Sequence, residues 1–241
     1  MRVVLFGATG MVGSGVLLEC LDSPRVSSVL AIGRSSTGVR HSKLREILHR
    51  DFLEFNSLRE EFVGVDACFF CLGVSSFRMK ETDYRRLTHD VTLAAATSLL
   101  AVRPQLTFIY VSGEGTDSTA RGRTMWARVK GQTEKELLAM PFKAAYMFRP
   151  GYIQPLRGVR SRTSIYQALY DALGFLYPLL RRTIPTHVTT TVNVGRAMIE
   201  VAAEGYPRPI LSSAEINALA EVAEARERAT GTSATSGGES P

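Results

Sequence analysis

Along this chain, short apolar, often β-branched runs alternate with stretches whose apolar positions recur every three or four residues. The opening run, Arg2-Val3-Val4-Leu5-Phe6, has the composition of a buried strand. After a glycine-spaced turn, Val12, Val16, Leu17, Cys20 and Leu21 fall at helical intervals. Further strands are predicted over residues 28–32, 47–52, 67–72, 106–111 and 144–148. Helical spacing occupies residues 58–63 and 81–101, a segment carrying Trp126-Ala127-Arg128-Val129-Lys130-Gly131, and residues 192–203. A last helix starts at Ser212, where Ser-Ala-Glu makes a plausible cap.

Strand and helix alternating without hairpin signals predict an α/β fold, a doubly wound parallel sheet of Rossmann-like type. Residues 154–190 break the rhythm and form the expected substrate-side segment, a small C-terminal region within one domain of residues 1–220. Residues 221–241 are expected to be a helix end followed, from about Thr230, by a disordered tail of small polar residues. There is no internal repeat.

The turn after the first strand carries the clearest chemistry. Gly7-Ala8-Thr9-Gly10-Met11-Val12-Gly13 joins a strand to a helix start, the arrangement that binds a dinucleotide. Gly7 takes the tight turn, Gly10 admits the pyrophosphate to the backbone, and Gly13 lets the helix lie close to the sheet. Thr9, Met11 and Val12 complete the candidate phosphate loop, where the helix N-terminus offers unpaired N–H groups. The second strand ends at Gly33-Arg34-Ser35-Ser36. An acidic residue there would hold a ribose 2′-hydroxyl, whereas Arg34 suits a 2′-phosphate, so NADP(H) is expected ahead of NAD(H). The plain alternative is an ordinary surface arginine. Asp51 and Phe52 at the end of the third strand, and Cys71, Leu72 and Gly73 at the end of the fourth, join the candidate cofactor-binding set. The fifth strand delivers Ser112 to the carboxyl edge, where ligands bind in open parallel sheets. The sixth runs into Arg149, Pro150, Gly151 and Ile153, the last three also assigned to the cofactor.

Composition narrows the picture. The formal charge is +6 and the pI 9.4, with much of the excess arginine between residues 121 and 182. Most of this reads as a solvated basic face, and no nucleic-acid motif accompanies it. Cys68-Phe69-Phe70-Cys71 resembles a redox or metal motif in spacing only. On a strand, residues three apart point to opposite faces about 10 Å apart, so no disulfide and no metal site is expected. The apolar stretch 168–180 contains Asp171 and ends at Pro178 and two arginines, too short and interrupted to span a membrane. It reads as a lid or partner-facing helix. No secretory signal pattern precedes the first strand, and the chain is expected in the cytoplasm. A homodimer or a protein partner is left open.

Taken together, the glycine turn, Ser112 after strand five, Lys130 on the next helix and Arg149-Pro150-Gly151 after strand six resemble the short-chain dehydrogenase/reductase superfamily. Val129-Lys130-Gly131 followed by Glu134, Phe148-Arg149-Pro150-Gly151, and Val192 to Met198 resemble its atypical branch containing the human Tat-interacting protein of 30 kDa. The resemblance covers the chain to about Ala220. It implies that Ser112 orients a substrate carbonyl and that Lys130 holds the nicotinamide ribose and lowers the pKa of a tyrosine. That tyrosine lies four residues before the lysine, where this chain has Trp126. An indole N–H donates a hydrogen bond but does not titrate in water. The helix asparagine of the superfamily is also missing, with Thr88, His89 and Asp90 nearby. His89 reads as a solvated or capping residue, and Tyr84, Tyr110 and Tyr152 are other candidate donors. Two functions follow from the resemblance: an NADPH-dependent oxidoreductase acting on a small carbonyl substrate, or a non-catalytic NADPH-binding module read by a partner protein.

Overall fold

Residue alternation within the strands builds two cores, one on each face of a single sheet. The computed structural model describes residues 1–159, 177 and 182–235. In strand β1 (Arg2–Phe6) every residue after Arg2 is buried. Val3 and Leu5 pack with Val16, Leu17, Phe148 and Met198 on one face, while Val4 and Phe6 pack with Phe55, Phe62, Leu99 and Phe108 on the other. Burial on both faces explains the unbroken apolar runs, as in parallel sheets generally.

The elements follow in order. Helix α1 (Met11–Asp22) precedes β2 (Ser28–Gly33), β3 (Leu44–Leu48) and a 3-10 helix (Asn56–Phe62). Next come β4 (Ala67–Phe70) and α2 (Glu81–Arg85), which continues through a π turn (Arg86–Asp90) into α3 (Val91–Val102). Then follow β5 (Thr107–Val111), α4 (Met125–Ala139), β6 (Ala144–Arg149) and β7 (Tyr152–Gln154). A short 3-10 turn (Pro185–His187), β8 (Val188–Thr190), α5 (Thr191–Glu204), β9 (Ile210–Ser212) and α6 (Ser213–Thr235) complete the described chain. Seven strands form one parallel sheet in the order β3-β2-β1-β4-β5-β6-β9, and β7 and β8 pair separately. This is the doubly wound, Rossmann-like α/β fold that the alternation predicts. Strand order reverses between β1 and β4, the switch point at which such sheets take ligands.

Three local expectations shift. The third strand occupies Leu44–Leu48 rather than residues 47–52, with Ile47 paired to Ile32 and Leu48 to Gly33. Beyond it the chain bends: the His49 ring bonds the carbonyl oxygens of Asp51 (2.6 Å) and Glu54 (2.7 Å). Phe52 and Phe55 then turn edge-on to Phe6, so their apolarity reports packing of a turn, not a strand. The crossover expected as a helix at 58–63 is the 3-10 segment. Helix α6 runs on to Thr235, past the start of the expected tail, and residues 236–241 lie outside the described part. So does most of the apolar stretch 168–180. Among the described residues, no helix is long and apolar enough to cross a membrane.

Candidate functional site

Two glycines of the first turn are required by the fold itself. Gly7 has φ of +83°, and a β-carbon there would meet the backbone of Cys71 and Leu72 at 2.7 Å. One at Gly13 would overlap the Gly7 carbonyl oxygen, so α1 is pressed against the turn. Gly10 differs. Its N–H donates to the Gly7 carbonyl at 2.9 Å, and a β-carbon would meet nothing nearer than that oxygen at 3.4 Å. Gly10 is also the N-cap of α1, with no side chain bonded to the helix end. The fold therefore leaves bare space beside unpaired N–H groups at the switch point.

Beyond the ends of β2 and β3 lies a cavity of about 460 Å³, with Arg34, Asp51, Phe52, Leu72 and Val74 among its walls. Gly73, with no neighbouring atom within 4 Å of a β-carbon placed on it, is open. Cys71 continues β4, its N–H donating to the Phe6 carbonyl at 3.0 Å. Burial raises the thiol pKa of Cys20, Cys68 and Cys71, and all three are free thiols.

On the other side of the switch point, β5, α4 and β6 converge. The buried Ser112 hydroxyl donates to Glu134 Oε1 at 2.5 Å, with the Phe148 carbonyl at 3.2 Å. Glu134, only 2% exposed, is held by the Arg149 guanidinium through Nε at 3.0 Å and through Nη2. Lys130 Nζ donates to the Ser112 backbone carbonyl. Burial lowers the Lys130 pKa to about 8, opposed by the nearby Glu134 carboxylate. Trp126 sits one helical turn before Lys130, half-buried, its ring edge 3.4 Å from where a β-carbon on Gly115 would lie. Lys130 thus meets Ser112 at the end of β5, and Trp126 lies beside Gly115.

The candidate proton donors fare differently. Tyr84 and Tyr110 are 2% and 1% exposed, and burial raises both hydroxyl pKa values. Tyr152 donates to Gln154 Oε1 at 2.8 Å. His89 is not solvated: it is buried in the π turn, with Nδ1 2.8 Å from Asp90 and Nε2 3.1 Å from Glu136.

One pair was not foreseen. Glu114, two residues past Ser112, bonds His187 Nδ1, and both side chains are about half exposed. They pack over Gly151, where a β-carbon would overlap Glu114 Oε2 and the His187 carbonyl. Pro150 accepts from the Glu114 N–H at 2.9 Å, and Ile153 is buried in β7. Nothing in the sequence joins Glu114 to a histidine 73 residues away. Only the pairing of β7 with β8 brings them together.

No family model matches the chain. Protein fmp52, mitochondrial, of Emericella nidulans is 27% identical over 191 residues, spanning 75% of this chain and 79% of its own length. Protein HTATIP2 of Rattus norvegicus is 27% identical over 154 residues, 63% of this chain and 62% of its own. The fold has solved counterparts. An oxidoreductase of the short chain dehydrogenase/reductase family from Burkholderia thailandensis superposes with a TM-score of 0.62 at 15% identity, over 84% of this chain and 85% of that one. The Bordetella bronchiseptica enzyme WbmF in complex with NAD+ gives 0.64 at 14% identity, over 92% and 78%.

The chain shares its Rossmann-like α/β fold with these solved structures and is similar in sequence to HTATIP2. The comparison also corrects the expected cytoplasmic location, since relatives from Emericella nidulans and Saccharomyces cerevisiae are named mitochondrial. Lack of a secretory pattern does not separate those two compartments, because mitochondrial transit peptides have a different, amphipathic and arginine-rich composition.

Proposed function

We propose that this protein binds a nicotinamide dinucleotide along the carboxyl edge of its sheet, NADP(H) ahead of NAD(H), and reduces a small carbonyl compound. The observation that carries this reading is Gly10: the protein's own packing does not require a glycine there, whereas a pyrophosphate approaching the N-terminus of α1 does. Thr9, Met11 and Val12 complete the phosphate loop. Arg34, Asp51, Phe52, Cys71, Leu72 and Gly73 surround the adenosine half. Pro150 and Gly151 border the nicotinamide half, backed by Ile153.

When bound, the cofactor would supply a hydride for the carbonyl carbon. Lys130, already fixed on the Ser112 carbonyl, presents its remaining N–H donors to the ribose hydroxyls. Ser112 polarises the carbonyl once its proton turns away from Glu134. Trp126 shapes the pocket wall and moves no proton. The proton for the substrate oxygen comes from His187, whose Nδ1 is engaged by Glu114 and which keeps Nε2 for the substrate.

Calorimetric titration tests the binding half. NADPH should bind at least about tenfold more tightly than NADH, and Arg34→Ala should remove most of that gap. Binding of neither cofactor defeats the reading; equal affinities defeat the NADP(H) preference alone. A second reading, a non-catalytic NADPH-binding module, is favoured by Trp126 standing where a tyrosine acts in the superfamily. It is upheld if bound NADPH is oxidised by none of a panel of aldehydes, ketones and quinones.

A further inference from the structure

The ends of β2 and β3 lie side by side. Gly33 pairs with Leu48, and the His49 N–H donates to the Gly33 carbonyl at 2.9 Å. Arg34 follows one residue beyond that pair and Arg50 two residues beyond it, and both exposed guanidiniums border the same 460 Å³ cavity. Phe52, Leu72 and Leu87 add apolar surface to its lining.

Several of the described arginines are held by carboxylates. Arg45, on β3 itself, holds Glu61 through two bonds of 2.5 and 2.6 Å, and Arg149 holds Glu134. Among the described residues, neither Arg34 nor Arg50 has a carboxylate partner. Asp51 and Asp83 share the cavity wall, but Asp51 Oδ1 accepts the Leu53 N–H at 3.0 Å, and Arg86 adds a third cation. The cavity lining therefore carries three arginines against two aspartates, with Arg34 and Arg50 free of carboxylate partners among the described residues, beside apolar side chains suited to a flat ring.

We propose that Arg50 is a second specificity-determining residue, gripping the 2′-phosphate of NADP(H) from the β3 side while Arg34 grips it from the β2 side. This rests on the cofactor reading above and adds to it a residue from a different strand. A dianionic phosphate presents more acceptor sites than one guanidinium fills, and two planar forks from adjacent strand ends meet it on two sides. The unphosphorylated cofactor has nothing for Arg50 to hold.

The test is calorimetric titration of the full chain with NADPH, NADH and 2′,5′-ADP, comparing wild type, Arg50→Ala and Arg50→Lys. The melting temperature of each variant is recorded alongside; an exposed arginine without a partner should leave it unchanged. Arg50→Ala should weaken NADPH and 2′,5′-ADP about tenfold and leave NADH unaltered, with Arg50→Lys in between. Unchanged NADPH affinity overturns the proposal. An equal loss for NADPH and NADH also overturns it, because it places Arg50 against the adenine ring. Wild-type protein binding both cofactors equally defeats this inference while the dinucleotide reading stands. Wild-type protein binding neither defeats both.

Discussion

The hydroxyl of Ser112 gives its one proton to the buried carboxylate of Glu134, 2.5 Å away. The residue that the superfamily resemblance makes a donor to substrate is therefore, in this structure, a donor to the protein. Arg149 clamps the same carboxylate, so the three side chains form one linked unit at the carboxyl ends of β5 and β6.

Glu134→Gln tests that unit. Removing the charge leaves the Arg149 guanidinium, 19% exposed, without its ion-pair partner. Breaking a buried pair from one side typically costs about 3–5 kcal/mol. A loss near the lower end is expected, read by denaturant unfolding. A variant within about 0.5 kcal/mol of wild type would show that the pair contributes little beyond geometry.

Gly10 and Gly13 should separate binding from folding. Gly10→Val places its side chain in the open space over the turn, and is expected to abolish NADPH binding while the melting temperature changes little. Gly13→Ala drives a β-carbon into the Gly7 carbonyl and should destabilise the fold itself. Normal NADPH affinity in Gly10→Val would reduce the motif to a turn.

Lys130 sets a pH dependence whose sign is fixed. Unfolded, its amine titrates near ~10.4; folded, burial holds it at about 8. Between those values the unfolded chain carries a proton that the folded chain has released, so stability rises with pH across that window. The rise is of order 3 kcal/mol and should vanish in Lys130→Met. Urea melts from pH 7.5 to about 10.5 read it directly. On the proposed reading, in which the ammonium form would donate to ribose hydroxyls, NADPH affinity should fall over the same range.

Trp126→Tyr restores an ionisable hydroxyl one turn before Lys130. General acid–base catalysis contributes about 10²–10⁴-fold when well placed, so a modest gain in turnover is expected. Its companion is His187→Gln, which should lower wild-type turnover without altering NADPH affinity. If Trp126→Tyr instead slows turnover, the shape of the indole matters more to the pocket than a second ionisable hydroxyl. If His187→Gln leaves turnover intact, the histidine does not supply the proton.

Much of this molecule is legible in its order of residues. Apolar runs, helical spacing and the glycine turn fixed the strand–helix alternation, the place of the candidate phosphate loop and the strand end carrying Ser112. These are local properties, encoded by period and by residues whose backbone needs are their own. The third strand shows the limit: Phe52 is apolar because a turn folds back onto Phe6, a fact that period alone does not carry. Pairing across distance was decided by the tertiary structure. Sheet order set Arg50 beside Arg34, the β5–β6 register brought Arg149 and Ser112 to the same glutamate, and the β7–β8 pair carried His187 to Glu114. A side chain's partner depends on which strands become neighbours, and that choice belongs to the packed core as a whole.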